Sequence, residues 1–232
     1  MVIKMRNDIV IIGGDSEIAK EFNKIARSNK SKILDISRKK EGATLKVPDY
    51  ISSTNDIIEE IKKLENPIII FFNGFLAENR PVQFPSGEEI LNTIQINFLI
   101  PYLLTKEISS KIDCEKFVYI SSIAAIKPRM KNYIYGLSKR NLEISIKKLG
   151  VQNYLIFRFG LVKTKMSKGH DIPPFSLDAK KAGMLIYKNL NKNGIKYPNK
   201  GLSFIGKLLN LLPIKIINYL EKNINTVKNI YK

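Results

Sequence analysis

Short apolar runs alternate with segments of helical periodicity along most of the chain. The runs at 8–12, 32–36 and 68–72 are rich in isoleucine, which is typical of strands buried on both faces. Segments 16–27 and 54–63 repeat apolar residues every three to four positions, as amphipathic helices do, and Thr54 is predicted to cap the second of them. This alternation predicts a parallel sheet covered by helices on both faces.

The same alternation continues toward the C-terminus. The remaining predicted strands are 44–47, 117–120, 154–159 and 195–197. The remaining predicted helices are 88–108, 133–149, 177–191 and 202–219, the last of them interrupted by Pro213. Segment 163–176 contains Gly169, Pro173 and Pro174 and predicts a loop of the length found in lids. We expect a three-layer Rossmann-type α/β fold, a doubly wound parallel sheet of about seven strands with a C-terminal amphipathic helical extension.

Length and cysteine content limit the domain count and the kinds of site. A chain of 232 residues can bury a core without disulfides or a metal. We expect one domain at 1–200 and a basic extension at 201–232. A single Cys and a single His exclude a disulfide framework and a multi-His metal site, so we predict no metal.

Positive charge is concentrated at the C-terminal end. The formal net charge is +18, and residues 179–232 carry 11 Lys against one acid. Such a segment suits anionic lipid or a phosphorylated substrate. Proteins that read base edges favour Arg, which this segment lacks, so we expect no nucleic-acid partner.

The chain shows neither a spanning helix nor a secretory signal. No apolar run reaches the roughly 20 residues that cross a bilayer, and the first run is too short for a signal core. We expect a cytoplasmic location, with peripheral contact at the inner face of the membrane as an open alternative. The stripe that includes Leu208, Leu209, Leu212, Ile216, Ile217 and Leu220 is expected to pack on the domain, on a twin subunit in a homodimer, or on anionic lipid.

Gly13 and Gly14 lie between the first predicted strand and the first predicted helix. A glycine turn at this point lets backbone approach a pyrophosphate, which then lies at the helix N-terminus. Glu17 and Ala19 stand where further glycines are usual. The pattern therefore also fits an ordinary strand-to-helix turn capped by Ser16.

The second predicted strand ends in a basic segment that begins with Ser37 and Arg38. An acid at this place would bind the ribose 2′-hydroxyl of NAD, whereas Arg accommodates the 2′-phosphate of NADP. We predict NADP(H) as the preferred cofactor. NAD(H), or a solvated basic loop with no ligand, is the alternative.

Tyr135 and Lys139 are four residues apart in a predicted helix and share one face. An ammonium beside a phenol lowers the phenol's pKa from about 10 toward working pH. Such pairs also arise by chance in a chain with so many lysines, and Tyr102 with Lys106 is a second one. Tyr135 is preceded by Ser122, whose hydroxyl lies at the carboxyl end of a predicted strand, where α/β proteins bind ligands. Tyr102 has no such partner. We therefore interpret Tyr102 as a core residue.

Over residues 7–190 the chain resembles the short-chain dehydrogenase/reductase superfamily. The motifs that carry the resemblance are Gly13-Gly14, Asn73-Gly74, Asn97, Ser121-Ser122, Tyr135-x-x-x-Lys139 and Gly160-x-Val162-x-Thr164. The chain departs from the family pattern at Glu17 and Ala19, at Phe75 in the Asn73 motif, and at Phe159, where Pro is usual.

The resemblance implies a role for each motif. Tyr135 would be the general acid or base, Lys139 would lower its pKa and bind the nicotinamide ribose, and Ser122 would hold the substrate carbonyl. Asn97 would help to position Lys139 through a water. Besides Tyr135 and Lys139, the implied cofactor-binding residues are Gly13, Gly14, Asp15, Ser16, Glu17, Ile18, Ser37, Arg38, Asn73, Gly74, Gly160, Val162 and Thr164.

The resemblance further implies an NADP(H)-dependent oxidoreductase that reduces a keto group or oxidises a secondary alcohol. A narrower likeness is to the keto-reductase partner of the polyprenylphosphoryl-ribose 2-epimerase system. The segments that carry it are 13–19, Thr164-Lys-Met166, 195–198 and 208–220, the last of which contains Leu-Leu-Pro213. That narrower likeness implies a sugar, or a lipid- or nucleotide-linked sugar, in cell-envelope polysaccharide synthesis. The alternative is a non-catalytic, dinucleotide-binding regulatory protein.

The predicted loop carries further candidate substrate contacts. Lys163, Lys165 and Lys168 suit a phosphate-bearing substrate, and a merely soluble basic loop explains them equally well. His170, in the same loop, is interpreted as a solvated surface residue rather than a substrate ligand.

Overall fold

A computed structural model describes residues 8–39, 41–77, 85–129, 132–169, 172–217 and 219. Within them the strands are β1 (Asp8–Ile12), β2 (Lys32–Ser37), β3 (Leu45–Lys46), β4 (Ile68–Phe71), β5 (Lys116–Ser122), β6 (Tyr154–Phe159), β7 (Val162–Lys163), β8 (Leu177–Asp178) and β9 (Gly194–Lys196). The helices are α1 (Glu17–Ser28), α2 (Thr54–Ile61), α3 (Gly87–Ile94), α4 (Ile100–Ser109), α5 (Tyr133–Lys148), α6 (Ala179–Lys188) and α7 (Lys200–Leu211).

Seven strands of the described chain form a parallel sheet in the order β3-β2-β1-β4-β5-β6-β9. The chain runs outward from β1 to β3 and then returns to place β4 on the other side of β1. The strand order therefore reverses beside β1. Ligands of open α/β sheets bind at the carboxyl ends of the strands next to such a reversal.

Two apolar cores lie on opposite faces of this sheet because successive side chains of a strand point to opposite faces. Val10 of β1 packs with helices α2, α4 and α5 on one face. Ile11 packs with α1 and α6 on the other. Helices α1 and α6 approach closely at Gly183, where a Cβ would lie 2.9 Å from the Phe22 nitrogen. The expected three-layer, doubly wound sheet of seven strands is confirmed.

The predicted helix 88–108 is interrupted by a π-helical turn, Gln95–Leu99, between α3 and α4. Pro101 accounts for the interruption, because it has no N–H to donate to the Asn97 carbonyl four residues earlier. The Ile100 N–H bonds instead to the Gln95 carbonyl, five residues back. The turn places the Asn97 side chain in the interior, where it is fully buried.

One other local prediction differs from the structure. Ser53, not Thr54, occupies the N-cap position of α2, and the Thr54 hydroxyl donates to the Ile51 carbonyl at 2.7 Å. The two ends of the predicted loop 163–176 are joined by the pairing of β7 with β8. The extension forms α7 and then breaks before Pro213, as predicted. In the described part of the chain, no helix combines the length and apolarity needed to cross a membrane.

Candidate active site

Ser122 and Tyr135 meet at the carboxyl end of β5. Ser122 is the last residue of β5, and its Oγ accepts a hydrogen bond from the Ala124 N–H at 3.2 Å. The Tyr135 hydroxyl, in the first turn of α5, is close enough to Ser122 for the serine to lower its pKa. Gly136 allows this approach, since a Cβ there would lie 2.8 Å from the Ala124 carbonyl oxygen. The two hydroxyls are therefore neighbours at this edge of the sheet.

Burial raises the pKa of Tyr135 to about 12, and the neighbouring Ser122 hydroxyl opposes that rise. Lys139 is not among the causes of this shift, and its expected effect on the phenol's pKa stays a prediction. Tyr135 is therefore a protonated acid at neutral pH.

Lys139 lies one turn further along α5 and is almost completely buried. Its ammonium donates to the Ile120 carbonyl at 3.0 Å and to the Asn73 carbonyl at 3.2 Å. An ammonium carries three N–H donors, and these carbonyls take two of them. Burial lowers the pKa of Lys139 to about 8, while the negative charge of Glu143 raises it.

The Asn97 side chain holds the segment that follows β4. Its Nδ2 donates to the Phe75 carbonyl at 2.7 Å, and its Oδ1 accepts from the Phe75 N–H at 3.0 Å. The Asn73 carbonyl, which accepts from Lys139, is two residues away. Asn97 thus holds the same backbone segment that Lys139 contacts, and its role in positioning Lys139, through a water as the resemblance implies, stays a prediction.

The glycine turn is packed tightly against the sheet. Gly13 has φ of +91°, a conformation that favours glycine, and a Cβ there would lie 3.0 Å from the Asn73 nitrogen. A Cβ on Gly14 would lie 1.8 Å from a carboxylate oxygen of Asp35. Ser16 stands at the N-cap of α1 without a side-chain cap hydrogen bond, so the reading of a Ser16-capped turn is not supported.

The predicted 2′-phosphate residues lie beside this turn. The Asp15 carboxylate accepts from the Lys39 N–H at 3.2 Å, which ties the turn to the segment that follows β2. Ser37 is fully buried. The Arg38 guanidinium lies 5.7 Å from the ring centroid of Tyr50.

Glu17 connects the N-terminus of α1 to the segment after β7. Its carboxylate accepts a hydrogen bond from the Lys165 N–H at 2.5 Å. Met166 reaches across to Gly74, where a Cβ would lie 3.1 Å from the Met166 methyl carbon. Thr164 comes directly before Lys165 and Met166 in the chain. These sequence-distant motifs therefore border one cleft.

Solved structures of known proteins share this architecture. A short-chain dehydrogenase from Burkholderia cenocepacia J2315 in complex with NADP matches with a TM-score of 0.72 at 16% identity, over 90% of this chain and 99% of that chain. The 3-oxoacyl-[acyl-carrier protein] reductase from Brucella melitensis in complex with NAD matches with a TM-score of 0.67 at 14% identity, over 86% and 98%. Thermoplasma acidophilum aldohexose dehydrogenase, ligand-free, matches with a TM-score of 0.65 at 15% identity, over 86% and 95%.

The chain has the short-chain dehydrogenase/reductase fold. The superfamily resemblance read from the motifs is thereby confirmed at the level of the fold. The sequence itself matches no family model and no curated protein. The narrower likeness to the epimerase partner stays a prediction.

Within this short-chain dehydrogenase/reductase fold, the other predicted site residues have distinct surroundings. Ile18 of α1 packs in the core on the α1/α6 side of the sheet, and Gly160 lies against the side chain of Leu202. Val162 accepts a hydrogen bond from Ser167 Oγ at 2.8 Å through its carbonyl. Tyr102 packs against the core, beside Phe98.

Two residues that lie beside the glycine turn and Arg38 were not predicted from the sequence. Asp35 is buried beneath the glycine turn and accepts from Asn23 Nδ2 at 2.9 Å. The sequence feature that could have identified Asp35 is an acidic residue inside an otherwise apolar predicted strand. Tyr50, under Arg38, carried no local signal. His170 lies outside the described residues. Among those described, no three His, Cys, Asp or Glu side chains are grouped as a metal site.

Proposed function

We propose that this protein is an NADP(H)-dependent oxidoreductase that reduces a ketone to a secondary alcohol and catalyses the reverse oxidation. The neighbouring Ser122 and Tyr135 hydroxyls, with the buried Lys139 ammonium one turn further along α5, carry the proposal. Together they unite a proton donor, a second hydroxyl and a positive charge at the ligand-binding edge of the sheet. Proteins of the same fold hold NADP or NAD, which supports a dinucleotide cofactor.

The bound dinucleotide would supply the hydride. Ser122 donates a hydrogen bond to the carbonyl oxygen and stabilises the negative charge that develops on it. Tyr135 gives its phenolic proton to the same oxygen. Because burial keeps this phenol protonated, the resting site is prepared for reduction rather than oxidation.

Lys139 acts through its charge and its third N–H. The positive charge stabilises the phenolate that Tyr135 becomes after it gives up the proton. The third N–H would hold a ribose hydroxyl of a bound cofactor, since the Ile120 and Asn73 carbonyls accept from the other two. These roles require the ammonium form.

Two features of the described residues fit a dinucleotide. The N-terminus of α1 has no side-chain cap, and N–H groups at such an end bind phosphate. The buried Oδ1 of Asn73 makes no hydrogen bond in the structure, and a ribose hydroxyl of the cofactor would supply the missing donor.

We expect the Arg38→Gln variant to discriminate between the two cofactors. Loss of a charge-assisted hydrogen bond to the 2′-phosphate should raise the KM for NADPH about 10- to 100-fold. The KM for NADH should stay the same. Lys24→Gln, which removes an exposed lysine paired with Glu21 on α1, is the charge-matched control. Equal changes for both cofactors would contradict the NADP assignment.

We propose a sugar as the substrate, linked to a lipid or a nucleotide and used in cell-envelope polysaccharide synthesis. The motif likeness to the epimerase partner supports it, as do the exposed Lys163, Lys165 and Lys168 around the cleft. The test is a cofactor-oxidation screen with NADPH and NADH against a panel of keto-sugars, with and without phosphate. Tight cofactor binding without turnover on any ketone would favour the regulatory alternative.

The exposed face of α7 supports peripheral membrane contact. Phe204, Leu208 and Leu211 are 68%, 45% and 78% exposed and recur at the spacing of one helix face. Lys207 and Lys215 flank them and are also exposed. Of the predicted apolar stripe, Ile217 is buried, Leu208 and Ile216 are exposed, and Leu220 lies outside the described residues.

We expect the triple variant Phe204→Ser/Leu208→Ser/Leu211→Ser to lose binding to vesicles that contain phosphatidylglycerol. An apolar stripe with flanking lysines binds anionic interfaces, and salt weakens that binding. Vesicle co-sedimentation at low and high salt measures it. Leu91→Ser, which changes an exposed leucine of α3, is the control. Salt-insensitive or absent binding, or a homodimer that the triple variant disrupts, would overturn the membrane proposal.

A further inference from the structure

A chain of buried polar contacts lies behind the face of α5 that carries Lys139. Glu143 follows one turn later, and its side chain is only 4% exposed. Its carboxylate accepts from Ser121 Oγ at 2.6 Å and pairs with Arg158 of β6 at 2.5 Å. The Arg158 Nε also donates to both carboxylate oxygens, at 3.0 and 3.1 Å. The carboxylate is therefore held between α5, β5 and β6.

Stability is a weak explanation for such a pair. A buried ion pair often contributes no more than apolar residues of the same size, because both charges lose their hydration. Ser121, the neighbour of Ser122, is part of the same network. The location of the pair therefore suggests a role at the site.

We propose that the Glu143–Arg158 pair is a positioning pair that keeps Lys139 in its ammonium form. This inference rests on the proposed function, in which that charge stabilises the Tyr135 phenolate. Residues four apart on a helix have Cβ atoms about 5–6 Å apart. The Glu143 carboxylate is thus a fixed negative charge close to the ammonium.

Arg158 holds the carboxylate without cancelling its effect on Lys139. The Arg158 side chain is 16% exposed, four times the exposed fraction of Glu143. Its Nη1 donates away from the site, to the Tyr197 hydroxyl at 2.8 Å. Water therefore screens the guanidinium more than the carboxylate, and the carboxylate is the member of the pair whose charge acts on Lys139.

The other elements around Lys139 contribute few charged groups in the described chain. The segment after β4 and strand β5 provide the Asn73 and Ile120 carbonyls, and Tyr135 is the titratable residue one turn before Lys139 on α5. The buried Lys116 lies at the opposite end of β5 and donates to the Leu190 carbonyl at 2.6 Å. The π-helical turn and the 3-10 turn Ile123–Ala125 carry no charged residue. The charged residues of α3 and α4, all at least partly exposed, are Glu88, Glu89, Lys106 and Glu107.

The charge state of Lys139 agrees with this geometry. Burial lowers the pKa of Lys139 to about 8, and the Glu143 charge opposes that fall. The ammonium is present below this pKa and is lost as the pH rises through it. Removing the negative charge should therefore move the loss of the ammonium to lower pH.

The test compares two variants that break the same ion pair from opposite sides. In Glu143→Gln the alkaline limb of the kcat profile should move down by about one pH unit or more. In Arg158→Gln it should move up, because an uncompensated carboxylate faces the ammonium. Glu143→Asp and Arg158→Lys keep the charges and should keep the wild-type limb. Shifts of the same sign in both Gln variants, or no shift in either, would overturn the proposal.

A second measurement does not depend on turnover. The Lys139 side-chain resonance, assigned by its absence in Lys139→Arg, is titrated by NMR in the free full-length protein. The same opposite displacements are expected. If Glu143→Gln does not fold, the double variant Glu143→Gln/Arg158→Met takes its place, because it removes both charges and keeps the packing. In this variant Lys139 should still titrate at lower pH than in the wild type. A wild-type protein that reduces no ketone would refute the proposed function, while this titration still decides on the pair.

Discussion

Tyr135→Phe should lower the rate of ketone reduction by about 10²- to 10⁴-fold, the usual contribution of a general acid. The substitution removes the phenolic O–H, which carries the proton, and keeps the aromatic ring in the first turn of α5. NADPH affinity should be unchanged, because the cofactor contacts that we propose at the glycine turn and at Arg38 remain. Single-turnover kinetics and a fluorescence titration with NADPH measure the two quantities separately.

Tyr102→Phe is the matched control for this experiment. Tyr102 also precedes a lysine by four residues, but it packs against the core beside Phe98. Its variant should reduce ketones at the wild-type rate. Near-normal turnover in Tyr135→Phe, or equal losses in the two variants, would refute Tyr135 as the proton donor.

Gly14→Ala should destabilise the fold and weaken NADPH binding together. Its Cβ would lie 1.8 Å from a buried Asp35 carboxylate oxygen, so the turn or the carboxylate must move. Overpacking of this kind costs about 1–3 kcal/mol, which corresponds to a fall in Tm of about 2–12 °C for a chain of this size. Thermal unfolding with and without NADPH measures both effects.

Two further variants isolate the collision with Asp35. Gly87→Ala adds a methyl group at a helical position where no atom lies within 4 Å, and it should leave Tm and NADPH affinity unchanged. In an Asp35→Ala background, Gly14→Ala should cost less than in the wild type, as a double-mutant cycle would show. A Gly14→Ala protein with the wild-type Tm and affinity would show that the turn is not packed as described.

The fold could be predicted because its main signals are local. β1 and β4 are apolar runs whose length and composition suit strands buried on both faces. Ser122, Tyr135 and Lys139 lie within 18 positions of one another, and a strand, a turn and a helix bring them together. The π-helical turn also has a local cause, Pro101. It was not predicted because the apolar periodicity of 88–108 is that of one continuous helix.

Other parts of the site join residues that are far apart in the chain. The Lys165 N–H that Glu17 holds is 148 positions away, and Asp35 meets Gly14 only because β2 pairs with β1. Apolar periodicity and motif spacing are local patterns, and they do not predict contacts between residues so far apart in the chain. Such contacts arise when separate elements pack, and so they became visible only in the structure.

The sequence by itself determined the order of strands and helices and the set of candidate groups, because apolar periodicity and motif spacing act over a few residues. The tertiary structure decided the charge states of those groups. Burial raises the pKa of Tyr135 and lowers that of Lys139, and Glu143 opposes the second effect. Desolvation depends on everything that surrounds a side chain, and those surroundings exist only after the layers have packed.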